Sequence, residues 1–246
     1  MKTEKDLQIQ GLFDAAGARH GFDAVDARFY PFKEFKSTWV RSGRRAELRV
    51  TDYLKCADDA ILEDFVGCLC ARILSRGRRE VYTDRLRAWL TSDEFVARNQ
   101  PLYLSRSRNL TLSGAGSTID LEAMRDRLRD EGLIQDAADA YLSWTISGNR
   151  HRVGYCSVIM KVIAVSSALD CSAVPDFVSE YVLYHELLHL ETGLEGLAAA
   201  HGADFRRRER LHPHWREAED FLKKLARRTT SIGSPLSDAR LASRGR

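Results

Sequence analysis

The sequence has few cysteines, and their arrangement excludes two common roles. Only five occur among 246 residues. Their number is odd and no two have C-x-x-C spacing, which argues against both a disulfide framework and a cysteine zinc knuckle. We therefore expect reduced thiols inside a cytoplasmic protein, at Cys56, Cys68, Cys70, Cys156 and Cys171.

Long apolar segments are also lacking. No run approaches the roughly 20 apolar residues that a membrane helix needs. The opening residues, Met1 to Asp6, lead into no apolar stretch of the kind that marks a secretory signal. These two absences predict a cytoplasmic location and no membrane partner.

A large charge of either sign is absent too. The formal net charge is +3, which is too small to indicate a partner. The segment 201–246 is basic, with 12 Lys or Arg against 6 Asp or Glu. Such a segment could contact nucleic acid, but no aromatic residues are interleaved as in a reading motif. A solvated face is therefore the favoured interpretation, and nucleic acid is a weakly supported partner.

The remaining composition is that of an ordinary globular protein with a core. A polar stretch, Ser105–Thr118, contains two glycines and is the best candidate linker. We therefore divide the chain into an N-terminal strand–helix region over 1–115, an α+β domain over 116–228 and a disordered tail over 229–246.

In the N-terminal region, a loosely held helix is expected in the first 27 residues. Two strands, Phe35–Val40 and Ala46–Val50, flank a turn. An apolar helix follows from Asp58, and a charged helix is expected at about Glu80–Ala97.

In the second region, Asp120 is a suitable cap for a helix that runs to Glu131. β-Branched residues predict strands at 141–146 and within 153–165. A helix is expected from Pro175 to Thr192, with Gly193 just past its end. Two more helices are expected over 202–211 and 213–228.

The chemistry is concentrated in that long helix, where His185-Glu186-Leu187-Leu188-His189 forms an H-E-x-x-H motif. Residues four apart lie on one helix face, so both imidazoles can bind one zinc ion. Glu186 is placed to act as general base on a water that the metal activates. An accidental motif is the plain alternative, but burying these polar groups in an apolar run would be costly without a metal.

A third protein ligand is expected, and its source stays open at this point. Glu209, Glu217 and Glu219 are available downstream. We favour His201, because Gly193 and Gly196 let the chain turn back towards the helix.

The chain does not match the metzincin way of supplying the third ligand. The metzincin pattern requires Gly and His where the chain has Thr192 and Glu195, and no methionine follows Met160. His212 and His214 flank Pro213 and are predicted to lie in a loop.

The motifs between Trp144 and Leu225 resemble the SprT-like and YgjP-like minimal zinc metallopeptidases. The resemblance rests on the segment 181–190 around H-E-x-x-H, on His201-Gly202-x-x-Phe205-Arg206, and on Pro213-x-Trp215 before a final helix. It implies a zincin-like α+β fold with a mixed sheet beside the H-E-x-x-H helix. It also implies zinc on His185, His189 and His201.

The chain departs from the family in two respects. It has no C-terminal cysteine zinc ribbon, which weakens transfer of a DNA-repair role. The helix before the sheet reads Met124-Arg125-Asp126-Arg127-Leu128 in place of an aromatic-rich Asn motif. Neither departure affects the proposed metal ligands.

The sequence thus predicts a zinc metallopeptidase that hydrolyses peptide bonds of a protein or peptide substrate. Two alternatives remain, namely a zinc amidohydrolase acting on a small molecule and a zinc-stabilised, nucleic-acid-associated binding module. Arg152 and Tyr155 are weaker candidates for polarising a substrate carbonyl. We also expect a free strand edge within 153–165 to pair with an extended peptide.

The N-terminal region holds a further pattern. Leu48, Val50, Leu54 and Cys56 match Ile163, Val165, Leu169 and Cys171 at a constant offset of 115 positions. Residues 27–77 are therefore a candidate degenerate copy of the strand–helix unit. At that offset, Cys70, Ala71 and Leu74 replace the H-E-x-x-H residues, so this copy is expected to be structural. The alternative is that any strand–turn–helix with buried apolar positions has a similar sequence pattern.

Overall fold

The computed structural model describes residues 4–74, 82–135, 139–196 and 201–230. Within these ranges the chain forms eight α-helices and two three-stranded mixed sheets, so the α+β class is confirmed. The predicted disordered tail starts too early, because Thr229 and Thr230 still belong to the last helix. Residues 231–246 lie outside the described part. None of the described helices is long and apolar enough to cross a membrane.

The first unit is a sheet flanked by two helices. Helix α1 (Glu4–Arg19) precedes β1 (Ala24–Tyr30), and the hairpin of β2 (Ser37–Ser42) and β3 (Arg45–Thr51) leads to α2 (Asp59–Leu74). Strand β3 is central, parallel to β1 and antiparallel to β2. Alternation places one face of the sheet against a core shared with both helices.

Three expectations about this region need correction. Strand β1 was not expected, although its burial alternates with period two. Helix α1 is not loosely held, because Ile9 and Phe13 are fully buried. The single charged helix is two helices, α3 (Asp84–Leu90) and α4 (Asp93–Arg106), which are separated where the Ser92 side chain caps α4.

The second unit positions the H-E-x-x-H segment. Helix α5 (Leu121–Asp130) precedes β4 (Tyr141–Trp144), and the hairpin of β5 (Gly154–Ser157) and β6 (Val162–Val165) leads to α6 (Asp176–Gly196). Asp120 accepts hydrogen bonds from the first turn of α5, which confirms the predicted cap. The regular part of α6 ends as expected, since Gly193 has a φ of 64° and breaks the helix.

The sheet of the second unit has a layer on each face. Ile163 and Val165 pack with α6, whereas Val162 and Ala164 on the opposite face join the core of the first unit. Two further helices, α7 (Ala203–Glu209) and α8 (Trp215–Thr230), follow, and both contact α6. Helix α6 is therefore held between the sheet and the C-terminal helices.

The two units share one topology. Each consists of a helix, a strand, a hairpin, a short 3₁₀ turn and a second helix, and the last strand is central in both sheets. The parallel pairs also have the same sequence separation, joining Ala24 to Arg45 and Tyr141 to Val162. This agreement supports the hypothesis of a degenerate copy, which stays a prediction.

The stretch predicted as a linker, Ser105–Thr118, is hydrogen-bonded to the second unit. Between Asn109 and Ser113 its backbone hydrogen-bonds along β4, including Thr111 N to Trp144 O at 2.9 Å and Trp144 N to Ser113 O at 3.0 Å. Its glycine-rich part then wraps the Asp170 carboxylate, which accepts hydrogen bonds from the backbone N–H groups of Ser117, Thr118 and Ile119. The segment therefore covers one edge of the sheet.

We expect Asp170→Asn to destabilise the fold by about 2 kcal/mol at neutral pH. Burial opposes ionisation of Asp170, but the hydrogen bonds from Ser117 and Thr118 outweigh it and lower the carboxyl pKa from 3.8 to about 2. A depressed pKa stabilises the folded state above the unfolded-state value. The difference between the two proteins should therefore shrink as the pH falls from about 4 towards 2.

Urea unfolding of both proteins between pH 7 and pH 3 measures this difference. Asp130→Asn is the matched control, because Asp130 is exposed at the end of α5. Its stability should change by no more than about 0.5 kcal/mol. Equal effects of the two substitutions at pH 7 would contradict the prediction.

Candidate metal centre

Three histidines converge at the C-terminal part of α6. His185 and His189 lie one turn apart on that helix, and His201 comes from the segment before α7. The Nε2 atom of His185 is 3.2 Å from Nε2 of His189 and 3.3 Å from Nε2 of His201. The structure therefore brings together the three residues that the sequence proposed as ligands, and they are able to hold a metal ion.

The donor spacing fits a small tetrahedral ion. Metal–nitrogen bonds of about 2.0–2.1 Å place two tetrahedral ligands about 3.3 Å apart. The two distances from His185 match this value, and all three donor atoms lie within 4.8 Å of one another. Three imidazoles are a donor set that suits zinc but also other first-row transition metals.

Glu209 orients the first of these ligands. The Nδ1–H of His185 donates to Oε1 of Glu209 at 2.7 Å, which leaves the Nε2 lone pair directed at the other two histidines. Burial opposes ionisation of Glu209, but the hydrogen bonds from His185 and Tyr181 and the charges of His185 and His201 together outweigh it and lower the pKa of Glu209. Glu209 was a candidate third ligand from sequence, and the structure instead places it behind His185.

Helix α7 supplies a second supporting side chain. Phe205 is buried, and its ring centroid lies 5.2, 4.6 and 5.1 Å from those of His185, His189 and His201. Phe205 and Glu209 are four residues apart, so both project from the same side of α7. Sequence reasoning noted Phe205 only as part of a family motif and missed this contact.

The surroundings of His189 and His201 favour the neutral imidazole that binds metals. Burial, together with the charges of His185 and His201, lowers the pKa of His189 to about 4. Burial and His185 also lower the pKa of His201. No proton therefore needs to be displaced from His189 at neutral pH before a metal binds.

Glu186 lies against the first residue of β5. A Cβ atom built on Gly154 would be 2.7 Å from Oε1 of Glu186 and 2.9 Å from Val182, so only glycine allows this contact. Burial raises the pKa of Glu186 to about 7, although His185 and Arg152 act in the opposite direction. A carboxyl group with a pKa near the working pH is suited to proton transfer.

A cavity of about 290 Å³ opens beside these groups. Its wall includes His185, Glu186 and Glu209 on one side and the chain from His151 to Gly154 on the other. Arg152, which the sequence offered as a candidate for polarising a substrate carbonyl, lines this cavity. We refer to this cavity below as the Glu186 cleft.

Five other candidates lie away from the histidine cluster. Tyr155 packs against the core of the first unit, on the sheet face opposite α6. His212 lies in the loop between α7 and α8, as predicted, and is buried against the rings of Tyr181 and Tyr184. His214 stacks on Phe177. Of the remaining glutamates, Glu217 pairs with His214, and Glu219 pairs with Lys223.

Comparison of the chain with family models, curated proteins and solved structures found no match. The resemblance to SprT-like and YgjP-like peptidases consequently stays a prediction from the sequence motifs.

Proposed function

We propose that the protein is a zinc-dependent metallopeptidase. The observation that carries the proposal is the convergence of His185, His189 and His201 beside the buried carboxyl of Glu186. A structural zinc site has four protein ligands, whereas a catalytic site has three and leaves one position open. Three histidines with an adjacent acid therefore favour catalysis over structural zinc.

In this proposal, His185, His189 and His201 hold the ion. Bound zinc supplies a Lewis acid that lowers the pKa of water and polarises a carbonyl group. Glu186 takes the proton from the attacking water and later delivers it to the leaving amine. Arg152, at the rim of the Glu186 cleft, stabilises negative charge that develops on the carbonyl oxygen.

The edge of β5 supports a peptide as the substrate. Strand β5 is last in the order β4–β6–β5, and within the described part of the chain no second strand pairs with it. It also lies next to α6, where Gly154 contacts Glu186. An extended peptide added to this edge by main-chain hydrogen bonds would pass in front of Glu186.

The free edge also bears on the alternatives. A small-molecule amidohydrolase needs no strand edge beside its metal, so a peptide substrate accounts for more of the structure. A nucleic-acid-associated module would draw on the arginines of α7, but Arg207 pairs with Asp204 and Arg208 with Glu191. These ion pairs reduce the charge available to phosphates.

The test is proteolysis of an unfolded protein such as reduced casein, followed by mass spectrometry of the new termini. The zinc-loaded protein should cleave, the chelator-treated protein should not, and added zinc should restore cleavage. Parallel reactions with and without single-stranded DNA test the nucleic-acid alternative. If the protein holds about one zinc per chain and no new termini appear, the peptidase assignment is contradicted.

A further inference from the structure

A second cavity lies on the opposite face of the same sheet. It measures about 250 Å³ and is lined by Lys33, by Asn109 and Leu110 before β4, and by residues at the ends of β4, β5 and β6. Tyr155 and Ala164 on its wall belong to the sheet face that packs against the first unit. We call it the Lys33 cavity. It is built by both halves of the chain.

The Lys33 cavity is cationic and polar. Lys33 and Arg152 line it, and none of its described lining residues is acidic. The neutral polar groups available to a ligand are amides and hydroxyls, at Asn109, Thr145, Ser147, Asn149, Tyr155 and Ser166. Lys33 has one carboxylate partner, Glu34 at 3.3 Å, whose side chain is 49% exposed and does not line the cavity. This lining suits an anionic ligand.

One aromatic ring positions both cations. The Lys33 Nζ lies 4.9 Å from the ring centroid of Tyr155, and the Arg152 guanidinium carbon lies 5.1 Å from it. Lys33 also donates to the Tyr155 hydroxyl at 3.2 Å. Because these contacts hold the two cations before a ligand arrives, less entropy is lost when an anion binds.

The Lys33 cavity adjoins the Glu186 cleft. Arg152 and Gly154 line both of them. Side chains of an extended peptide alternate between the two faces of a sheet. If one residue of a peptide paired with β5 faces Glu186, its neighbour faces the side of Tyr155 and Lys33.

We propose that the Lys33 cavity binds the carboxylate of an acidic residue next to the bond that is cleaved. This rests on the proposed peptidase function and names a specificity for it. It also gives the first unit a role in the site, since Lys33 belongs to that unit and Arg152 to the second.

The test uses quenched fluorescent peptides that carry one cleavable bond and a single Glu at each flanking position in turn. Each is compared with the peptide that has Gln at the same position. For one position we expect kcat/KM to be about tenfold higher with Glu, as for a hydrogen bond to a charged group. Lys33→Gln should abolish this preference, so that the Glu and Gln peptides are cleaved with equal kcat/KM.

Lys36→Gln is the matched control, because Lys36 lies three residues further on, over the ring of Phe32, and does not line the cavity. It should keep the preference. Equal cleavage of the Glu and Gln peptides at every position would overturn the proposed subsite while the peptidase function stands.

A binding measurement separates the two proposals. Fluorescence anisotropy of the same labelled peptides with zinc-loaded Glu186→Gln protein reports affinity without hydrolysis. Tighter binding of a Glu peptide, lost in Lys33→Gln, would support the subsite even if no peptide is cleaved by the wild type. No preference in either cleavage or binding would overturn it.

Discussion

Glu186→Gln should lower kcat/KM for a peptide substrate by about a thousandfold and leave the zinc content unchanged. Glutamine has the same shape as glutamate, so it fits the space against Gly154 that admits Glu186. It cannot accept a proton from water at neutral pH, however. The metal ligands are untouched, because Glu186 is not one of the three converging histidines.

The measurement pairs zinc analysis by mass spectrometry with kinetics on one peptide. Asp176→Asn is the matched control, since it removes an exposed carboxylate from the first turn of the same helix. It should keep both zinc and activity. More than a tenth of wild-type activity in Glu186→Gln would assign the general base to another group.

The local part of the site could be predicted from the sequence because it depends on one helix. The spacing of His185 and His189 fixes their common face through the periodicity of α6 alone. The end of that helix could likewise be predicted from local sequence, since Gly193 takes the positive φ that ends it. His201 was favoured because Gly193 and Gly196 let the chain turn back, and the structure places it at the cluster.

Contacts between separate elements could not be predicted in this way. The position of Glu209 behind His185 depends on how α7 packs against α6, and three downstream glutamates looked equivalent in sequence. The contact of Gly154 with Glu186 depends on how closely β5 approaches α6. A glycine in a strand can mark such an approach, and Gly154, the first residue of β5, is that signal in the sequence.

The first unit shows the same distinction. Strand β1 has the alternating pattern of a strand. Its start is nevertheless hard to recognise in the sequence, because it follows a helix with little apolar periodicity. The glycine-rich stretch was predicted to be a linker because its composition is typical of a loop. Its order comes from Asp170, about fifty residues away in sequence, and no local pattern records that contact.

The largest effect on metal affinity is expected from His201→Ala, and a smaller one from Glu209→Gln. Loss of a ligand removes a metal–nitrogen bond, whereas loss of the Glu209 carboxylate only weakens the orientation of His185, which typically costs 10- to 100-fold in affinity. We therefore expect zinc affinity to fall more than a hundredfold in His201→Ala and by 10- to 100-fold in Glu209→Gln.

Competition with a chromophoric zinc chelator measures both affinities. Glu217→Gln is the matched control, because this exposed glutamate pairs with His214 and lies away from the histidine cluster. It should bind zinc like the wild type. The order of the two effects is what tests the structure. If Glu209→Gln lost more affinity than His201→Ala, Glu209 would be the third ligand, and the convergence of His201 on His185 would not be the metal site.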